Sequence, residues 1–203
     1  MRILCISDQV EEQFYGPNLE ENAAGVEAVI SCGDLPFEYL EYIVTFLGAP
    51  VYYVLGNHDP APDSKDFPGG CIPLDGEILE IGGVVFAGLS GSRFYSGGPN
   101  QYTERQMRRR ALALSMKIRW RKLLGKPVPQ VFVAHSPPFG IGDREDPAHV
   151  GFESFLGLMG RHKPELWLHG HVHLYGPDQG QQRNHKHGNT KVVNVFGHRF
   201  LDV

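Results

Sequence analysis

Short apolar runs recur along the chain, and each is followed by polar residues that can bind a metal ion. Runs of this kind without alternation are typical of strands buried on both faces of a sheet. The predicted strands, with the polar residues after them, are 3–6 (Asp8), 26–31 (Asp34), 51–55 (Asn57 and His58), 130–134 (His135) and 166–168 (His171 and His173). The pattern predicts an α/β fold whose chemistry lies where the strands end.

Between these strands, apolar positions at helical spacing predict three helices. The first, 37–47, follows Pro36 and stops at Gly48, and the last covers 152–161. The helix 103–124 begins at a capping box made by Thr103 and Gln106. We also expect a hairpin of 77–81 with 84–89, a terminal strand 191–196, and loops at 60–73, 88–101 and 176–189.

Length and composition restrict the class of protein. The chain has 203 residues, of which 41% are hydrophobic, and this suits one globular domain, 1–203. We find no apolar run near the roughly 20 residues of a spanning helix and no signal-peptide pattern at the start. Three cysteines at unrelated spacings favour free thiols over a disulfide framework. We therefore expect a soluble cytoplasmic protein that does not bind a membrane.

The net charge of −4 conceals a strong asymmetry. Residues 1–60 hold ten acids and one base, Arg2, whereas 105–126 hold nine bases and no acid. This indicates either a surface that binds polyanions or an acidic metal cavity with a solvated basic helix elsewhere. We favour the second, because the bases lie opposite the apolar stripe of the helix and Trp120 is its only aromatic residue. Binding of nucleic acid is the less favoured alternative.

Six side chains at the strand ends are candidate metal ligands: Asp8, Asp34, Asn57, His135, His171 and His173. Oxygen donors mixed with imidazoles suit Mn²⁺, Fe, Zn²⁺, Co²⁺ or Ni²⁺ better than Ca²⁺ or a thiolate-dependent metal. His171 and His173 are two residues apart, so in an extended segment both side chains point to the same side.

The motifs occur in an order that resembles a known family, the calcineurin-like metallophosphoesterases. The matching motifs are Asp8, Gly33-Asp34, Gly56-Asn57-His58-Asp59, His135 and Gly170-His171-Val172-His173. The resemblance implies a sandwich of two facing mixed β-sheets flanked by α-helices. The segment 134–138, followed by Gly142-Asp143, resembles the phosphodiesterases within the family.

The resemblance also implies roles for these residues around two divalent metal ions. Asp34 would bridge the two ions, with Asn57, His135 and His171 in one site and Asp8 and His173 in the other. His58 and Asp59 would form the catalytic pair. His58 would contact the phosphate and protonate the leaving group, and Asp59 would support the ligands. The expected substrate is a small phosphoester.

Two positions depart from the family pattern. Val10 stands where the family has a histidine ligand. We therefore expect the ion at Asp8 and His173 to be weakly held, unless Glu11, Glu12 or water supplies the missing ligand. Phe37 stands where many phosphomonoesterases have an acid, which favours a diester substrate. The alternatives are a phosphomonoesterase and a non-catalytic metal-binding scaffold.

Four further histidines carry weaker signals. We predict a packing or supporting role for His169 and a solvated loop for His185 and His187. For His149, contact with the substrate and an ordinary loop position are both left open.

Overall fold

Two β-sheets face each other and enclose an apolar core, with helices on both outer surfaces. The structure is a computed structural model that describes residues 1–62, 64–175 and 183–203. The predicted fold class is confirmed by this arrangement.

The described residues form thirteen strands, four α-helices and one 3₁₀ turn, Glu12–Phe14. The strands are β1 Arg2–Ser7, β2 Ala28–Ser31, β3 Val51–Tyr53, β4 Ile72–Pro73, β5 Ile78–Ile81, β6 Val84–Leu89, β7 Ser92–Arg93, β8 Gln101–Tyr102, β9 Val131–Ala134, β10 Leu166–His169, β11 Asn184–His187, β12 Thr190–Asn194 and β13 Gly197–Asp202. The helices are α1 Leu19–Asn22, α2 Phe37–Leu47, α3 Glu104–Leu123 and α4 Glu153–His162.

Both sheets are parallel at their centres, and three of their four edge strands are antiparallel. The first sheet has the order β13-β1-β2-β3-β4, in which only β13 runs antiparallel to its neighbour. The second has the order β11-β12-β10-β9-β6-β5, with β11 and β5 antiparallel to their neighbours. The carboxyl ends of the central strands in each sheet therefore lie along one edge.

The apolar runs of the sequence are buried on both faces, as expected for parallel strands. Along β1, Ile3 and Cys5 belong to the core between the sheets, whereas Leu4 and Ile6 pack on the outer side with the α1 and α2 layer. In the second sheet, Val131 and Val133 of β9 likewise face the core between the sheets, whereas Phe132 packs on the outer side with α3 and α4. This alternation follows from the two-residue period of a strand.

The helix signals are also confirmed. Gly48 ends α2 in the left-handed conformation, with φ 69°. At the start of α3, the Thr103 N–H donates to Gln106 Oε1 at 2.8 Å, and the Gln106 N–H donates to Thr103 Oγ1 at 3.3 Å. These two bonds satisfy backbone donors that the first turn leaves unpaired.

The predictions are less accurate toward the carboxyl end. The predicted loop 176–189 is wrong where β11 forms, and its part 176–182 lies outside the described residues. His185 and His187 therefore lie on an edge strand rather than in a loop. The pattern also misses β13, which pairs with β1 and whose residues are mostly half-buried.

The sequence predicts neither a membrane-spanning helix nor a disulfide framework. No helix in the described part of the chain is long and apolar enough to cross a membrane. Cys5, Cys32 and Cys71 are all free thiols.

Candidate metal centre

The predicted ligands gather at the edge where strands of both sheets end. Asp8 and Asp34 follow β1 and β2 of the first sheet, and Asn57 follows β3. His135 follows β9 and His171 follows β10 of the second sheet. The cluster therefore lies across the junction of the two sheets.

Donor atoms of three other predicted ligands surround the Nε2 atom of His135. Its Nε2 lies 3.3 Å from Asp34 Oδ2, 3.1 Å from Asn57 Oδ1 and 3.1 Å from His171 Nδ1. Donor atoms of Asp34, His135 and His171 all lie within 4.8 Å of one another. One carboxylate, one amide oxygen and two imidazoles form a donor set that fits a divalent transition-metal ion.

Hydrogen bonds orient both histidine rings toward this point. His135 Nδ1 donates to the Cys32 carbonyl at 2.7 Å, and His171 Nε2 donates to the Ala148 carbonyl at 2.6 Å. The opposite nitrogen of each ring therefore faces the cluster, as in metal sites whose ligands are held by outer hydrogen bonds.

Tyr95 orients the amide of Asn57. The Asn57 Nδ2 group donates to the Tyr95 hydroxyl at 3.1 Å, which leaves Oδ1 facing His135. Tyr95 lies in the glycine-rich stretch 88–101, and its contact with Asn57 is visible only through the fold.

The second group of predicted ligands lies beside the first. The Asp8 carboxylate accepts the His171 backbone N–H at 2.9 and 3.1 Å. His173 Nε2 lies 3.6 Å from Asp8 Oδ1, and its side chain is 44% exposed. This half of the site has fewer donors and is more open to solvent than the half around His135.

The structure shows what stands near the missing histidine ligand. Val10 is half-buried and packs against the apolar layer that contains Phe14. Glu11 Oε2 lies 3.1 Å from His198 Nδ1, and the Glu12 side chain is exposed on the 3₁₀ turn. Glu11 is thus engaged by a residue of β13.

Three ligands have an unusual backbone conformation. Asp8, Asp34 and His171 have φ values of 64°, 56° and 67°, in the left-handed region that side chains other than glycine seldom adopt. Such strain persists where surrounding contacts hold it, and it concentrates at functional sites. Here it turns each side chain into the cavity directly after a strand.

Asp59 supplies some of these contacts. Its Oδ2 accepts the backbone N–H groups of Asp34 at 2.9 Å and Gly56 at 2.7 Å. The structure thus places Asp59 behind the ligands, where it holds the backbone of the two motifs together. Gly56 is tightly enclosed, since a Cβ there would overlap the Asp34 carboxylate and the His135 ring.

His58 occupies a different position. Its backbone N–H donates to Asp34 Oδ1 at 2.8 Å, while its side chain is exposed. The side chain lines a groove of about 470 Å³ together with Asp34, Phe37 and Asp66, among other residues. His58 is thus adjacent to the cluster and accessible to a ligand in the groove.

Two of the remaining histidines are now placed. The His149 ring lies 5.1 Å from the His171 ring, and its Nδ1 bonds to Asp146 Oδ1 at 2.8 Å. Of the two positions left open for His149, the structure thus shows one beside the cluster. His169 is fully buried outside it, with Nδ1 bonded to the Gly170 carbonyl at 3.0 Å.

The motifs and the geometry agree with the result of a family comparison. The sequence model of the calcineurin-like phosphoesterase family matches residues 1–175 of the chain. The chain belongs to this family. No curated protein matches the chain.

Solved structures give further support for the fold of this family member. TT1561 of Thermus thermophilus is similar over 97% of this chain and 89% of its own, with 16% identity and a TM-score of 0.61. GAP50, named as the anchor in the inner membrane complex of Plasmodium, is similar over 96% of this chain and 70% of its own, with 13% identity and a TM-score of 0.54. At these identities the likeness shows the fold alone.

Burial and charge shift the pKa values of the ligands of this calcineurin-like phosphoesterase. Burial acts to raise the pKa of Asp34, but the His135 imidazolium and the hydrogen bond from His58 N–H outweigh it and lower the pKa to about 2. Burial acts to lower the pKa of His135, and the Asp34 carboxylate reverses this and raises it to about 9. Burial, aided by charged His135, lowers the pKa of His171 to about 3.

Metal binding should therefore release a proton from His135. Without metal, His135 is charged below a pH of about 9 and must lose its proton to become a ligand. We expect Mn²⁺ affinity to rise by up to about tenfold per unit between pH of about 6.5 and 8.5. Calorimetry in Pipes and Tris would count the protons released, and His135→Gln should release none from this position. Equal affinity at both ends of the pH range would contradict the assignment.

Replacement of Tyr95 should weaken the site without unfolding the protein. Tyr95→Phe removes the acceptor of Asn57 Nδ2, so the amide is free to rotate its oxygen away, and we expect metal affinity to fall by about tenfold or more. Competition with a chelator would measure this. Tyr52→Phe, on β3 but outside the set of ligands and hydrogen-bond partners described above, is the matched control and should bind metal as wild type does. Unchanged affinity in Tyr95→Phe would show that Tyr95 does not orient the ligand.

Proposed function

We propose that this protein is a metal-dependent phosphodiesterase that uses metal-activated water. Membership of the family supports the coarser statement, a metal-dependent phosphoesterase. The observation that carries the proposal is the convergence of Asp34, Asn57, His135 and His171 on one point, beside a groove that exposes His58.

The residues of the chain divide the work of such a reaction. Bound divalent ions would polarise the phosphoryl group and lower the pKa of a coordinated water. Asp34, whose Oδ2 lies 3.3 Å from His135 Nε2, would help to hold both ions. His58 protonates the leaving alkoxide from the groove, because its side chain lines that groove and an imidazolium can donate a proton. Asp59 is a positioning residue that acts through the backbone of Asp34.

Phe37 supports the choice of a diester. It lines the groove with His58, at the position where many phosphomonoesterases of the family have an acid. An aromatic side chain instead offers apolar contact to the second ester substituent, which a diester has and a monoester lacks. A phosphomonoesterase is the alternative enzyme.

A non-catalytic scaffold is the alternative from another class. Val10 favours it, because one expected ligand is missing. His58 argues against it, since a scaffold has no chemical need for an exposed histidine beside a metal cavity. We favour the enzyme, acting on a small phosphoester in the cytoplasm, where free cysteines are typical.

We propose two ions drawn from Mn²⁺, Fe, Zn²⁺, Co²⁺ and Ni²⁺, held with unequal affinity. The site of Asp8 and His173 has no ligand from Val10, and Glu11 is paired with His198.

After mild dialysis of the metal-loaded protein, we therefore expect about one retained ion per chain, with a second that exchanges. Mass spectrometry of the metal content would measure this. In His171→Ala the tightly held ion should be lost, whereas in His173→Ala it should remain. Two ions retained equally by wild type would refute the prediction.

Substrate preference and His58 together test the activity. With Mn²⁺, we expect bis-p-nitrophenyl phosphate to be hydrolysed faster than p-nitrophenyl phosphate. With an alkyl phosphodiester, His58→Ala should lower kcat by about 10²-fold or more, because an alkoxide leaves only when it is protonated. The loss should be much smaller with the aryl ester, since p-nitrophenolate leaves without a proton. His187→Ala, which removes an exposed histidine on β11, is the control and should keep full activity.

Three results would count against the proposal. Faster turnover of the monoester would favour the phosphomonoesterase. Full activity of His58→Ala toward the alkyl phosphodiester would show that His58 does not protonate the leaving group. Absence of hydrolysis by fully metal-loaded protein with either substrate would favour the scaffold.

A further inference from the structure

The outward side of α3 exposes a stripe of large apolar side chains. Leu112, Met116, Trp120 and Leu123 are 45%, 69%, 63% and 74% exposed. Their spacing of four, four and three residues places them in one row on the side opposite the buried stripe of Met107, Ala111, Leu114 and Ile118. The solvated polar face expected from the sequence is therefore partly apolar.

Exposed cations surround this stripe. We define the α3 face as the four apolar residues together with Arg105, Arg109 and Arg119, which are all exposed. None of these three arginines forms an ion pair with a residue in the described ranges. Arg110 and Lys117, by contrast, lie at the side of the helix and pair with Asp75 and Glu77. The α3 face thus combines unpaired positive charge with exposed apolar surface.

A second surface has the opposite charge. Tyr15 and Phe46 are 48% and 56% exposed, and Tyr42 joins them, with ring centroids 4.8 and 4.6 Å away. The exposed acids Glu20 and Glu21 of α1 belong to the same helical layer. We define these five residues as the α2 face, which lies in a segment, 1–60, with ten acids and one base.

The two faces lie on opposite sides of the molecule. Helices α1 and α2 pack on the outer side of the first sheet, and α3 and α4 pack on the outer side of the second. The faces therefore cannot cover each other within one chain, but the α3 face of one copy can reach the α2 face of another.

We propose that this protein associates head to tail, with the α3 face of one copy on the α2 face of the next. The contact removes exposed apolar surface from water on both sides and places arginines opposite glutamates. Each copy in a pair keeps one unused face, so larger assemblies form as the concentration rises.

Charge argues against a two-fold contact between two α3 faces. An isologous contact brings the same patch of both copies together, so the arginines of one face would meet those of the other. No acid lies between 105 and 126 to compensate them. The head-to-tail contact has no such conflict.

Sedimentation velocity on the full chain tests the proposal. From about 2 to 200 µM protein, the average mass should rise above that of a monomer, and the increase should be smaller at about 500 mM than at about 50 mM NaCl. Trp120→Glu on the α3 face and Phe46→Lys on the α2 face should each remain monomeric. Both residues are exposed, so folding should be unaffected, and circular dichroism would verify this. Asn184→Glu, an exposed change outside both faces, is the control and should associate as wild type does.

Mixing the two defective variants gives the decisive measurement. Trp120→Glu keeps its α2 face and Phe46→Lys keeps its α3 face, so an equimolar mixture should form dimers and nothing larger. Absence of dimers in the mixture would overturn the proposal. Association of Phe46→Lys like that of wild type would indicate a two-fold α3 contact and also overturn it. A monomeric wild type at every concentration would overturn it as well.

Discussion

The contact between Asp34 and His135 joins the two sheets at the point on which the site depends. Asp34 follows β2 of the first sheet and His135 follows β9 of the second, and their side chains meet at 3.3 Å. A second bond, from His135 Nδ1 to the Cys32 carbonyl, crosses the same junction. Because a buried charge needs a partner, the two sheets must keep their relative position for either residue to remain charged. The metal site is thus built into the packing of the sandwich.

Much of this arrangement could be predicted from the sequence, because the residues involved adjoin strong local signals. The ligands follow continuous apolar runs, and the parallel order of those strands brings their ends to one edge. The limits of α2 and the cap of α3 are equally local, since Gly48 and Thr103 act within one turn of their own helices. Patterns confined to a few residues are those that a single sequence reveals.

The features that were missed or left open depend on distant partners. Strand β13 is half-buried and is defined by its pairing with β1, at the opposite end of the chain. Tyr95 and His149 lie in loops, and only the fold brings them to Asn57 and His171. The outward row of α3 was missed for another reason. A helix with apolar residues on two opposite sides has little net amphipathicity, so its unpaired side shows only when the packed side is known.

Hydrogen bonds within the protein hold the donor side of the site in place. A carbonyl holds the outer nitrogen of each histidine ring, Tyr95 holds the outer amide group of Asn57, and Asp59 holds the backbone of Asp34. In the metal-free protein, the imidazolium of His135 provides the positive charge that the Asp34 carboxylate requires. A bound cation can take over that charge while the ligands keep their places, so binding needs little reorganisation of the protein. The half around Asp8 and His173 has fewer outer supports, with an exposed imidazole and with Glu11 paired to His198. The same principle would account for the proposed inequality in metal affinity between the two halves of the site, because affinity follows the number of ligands that the fold holds in place.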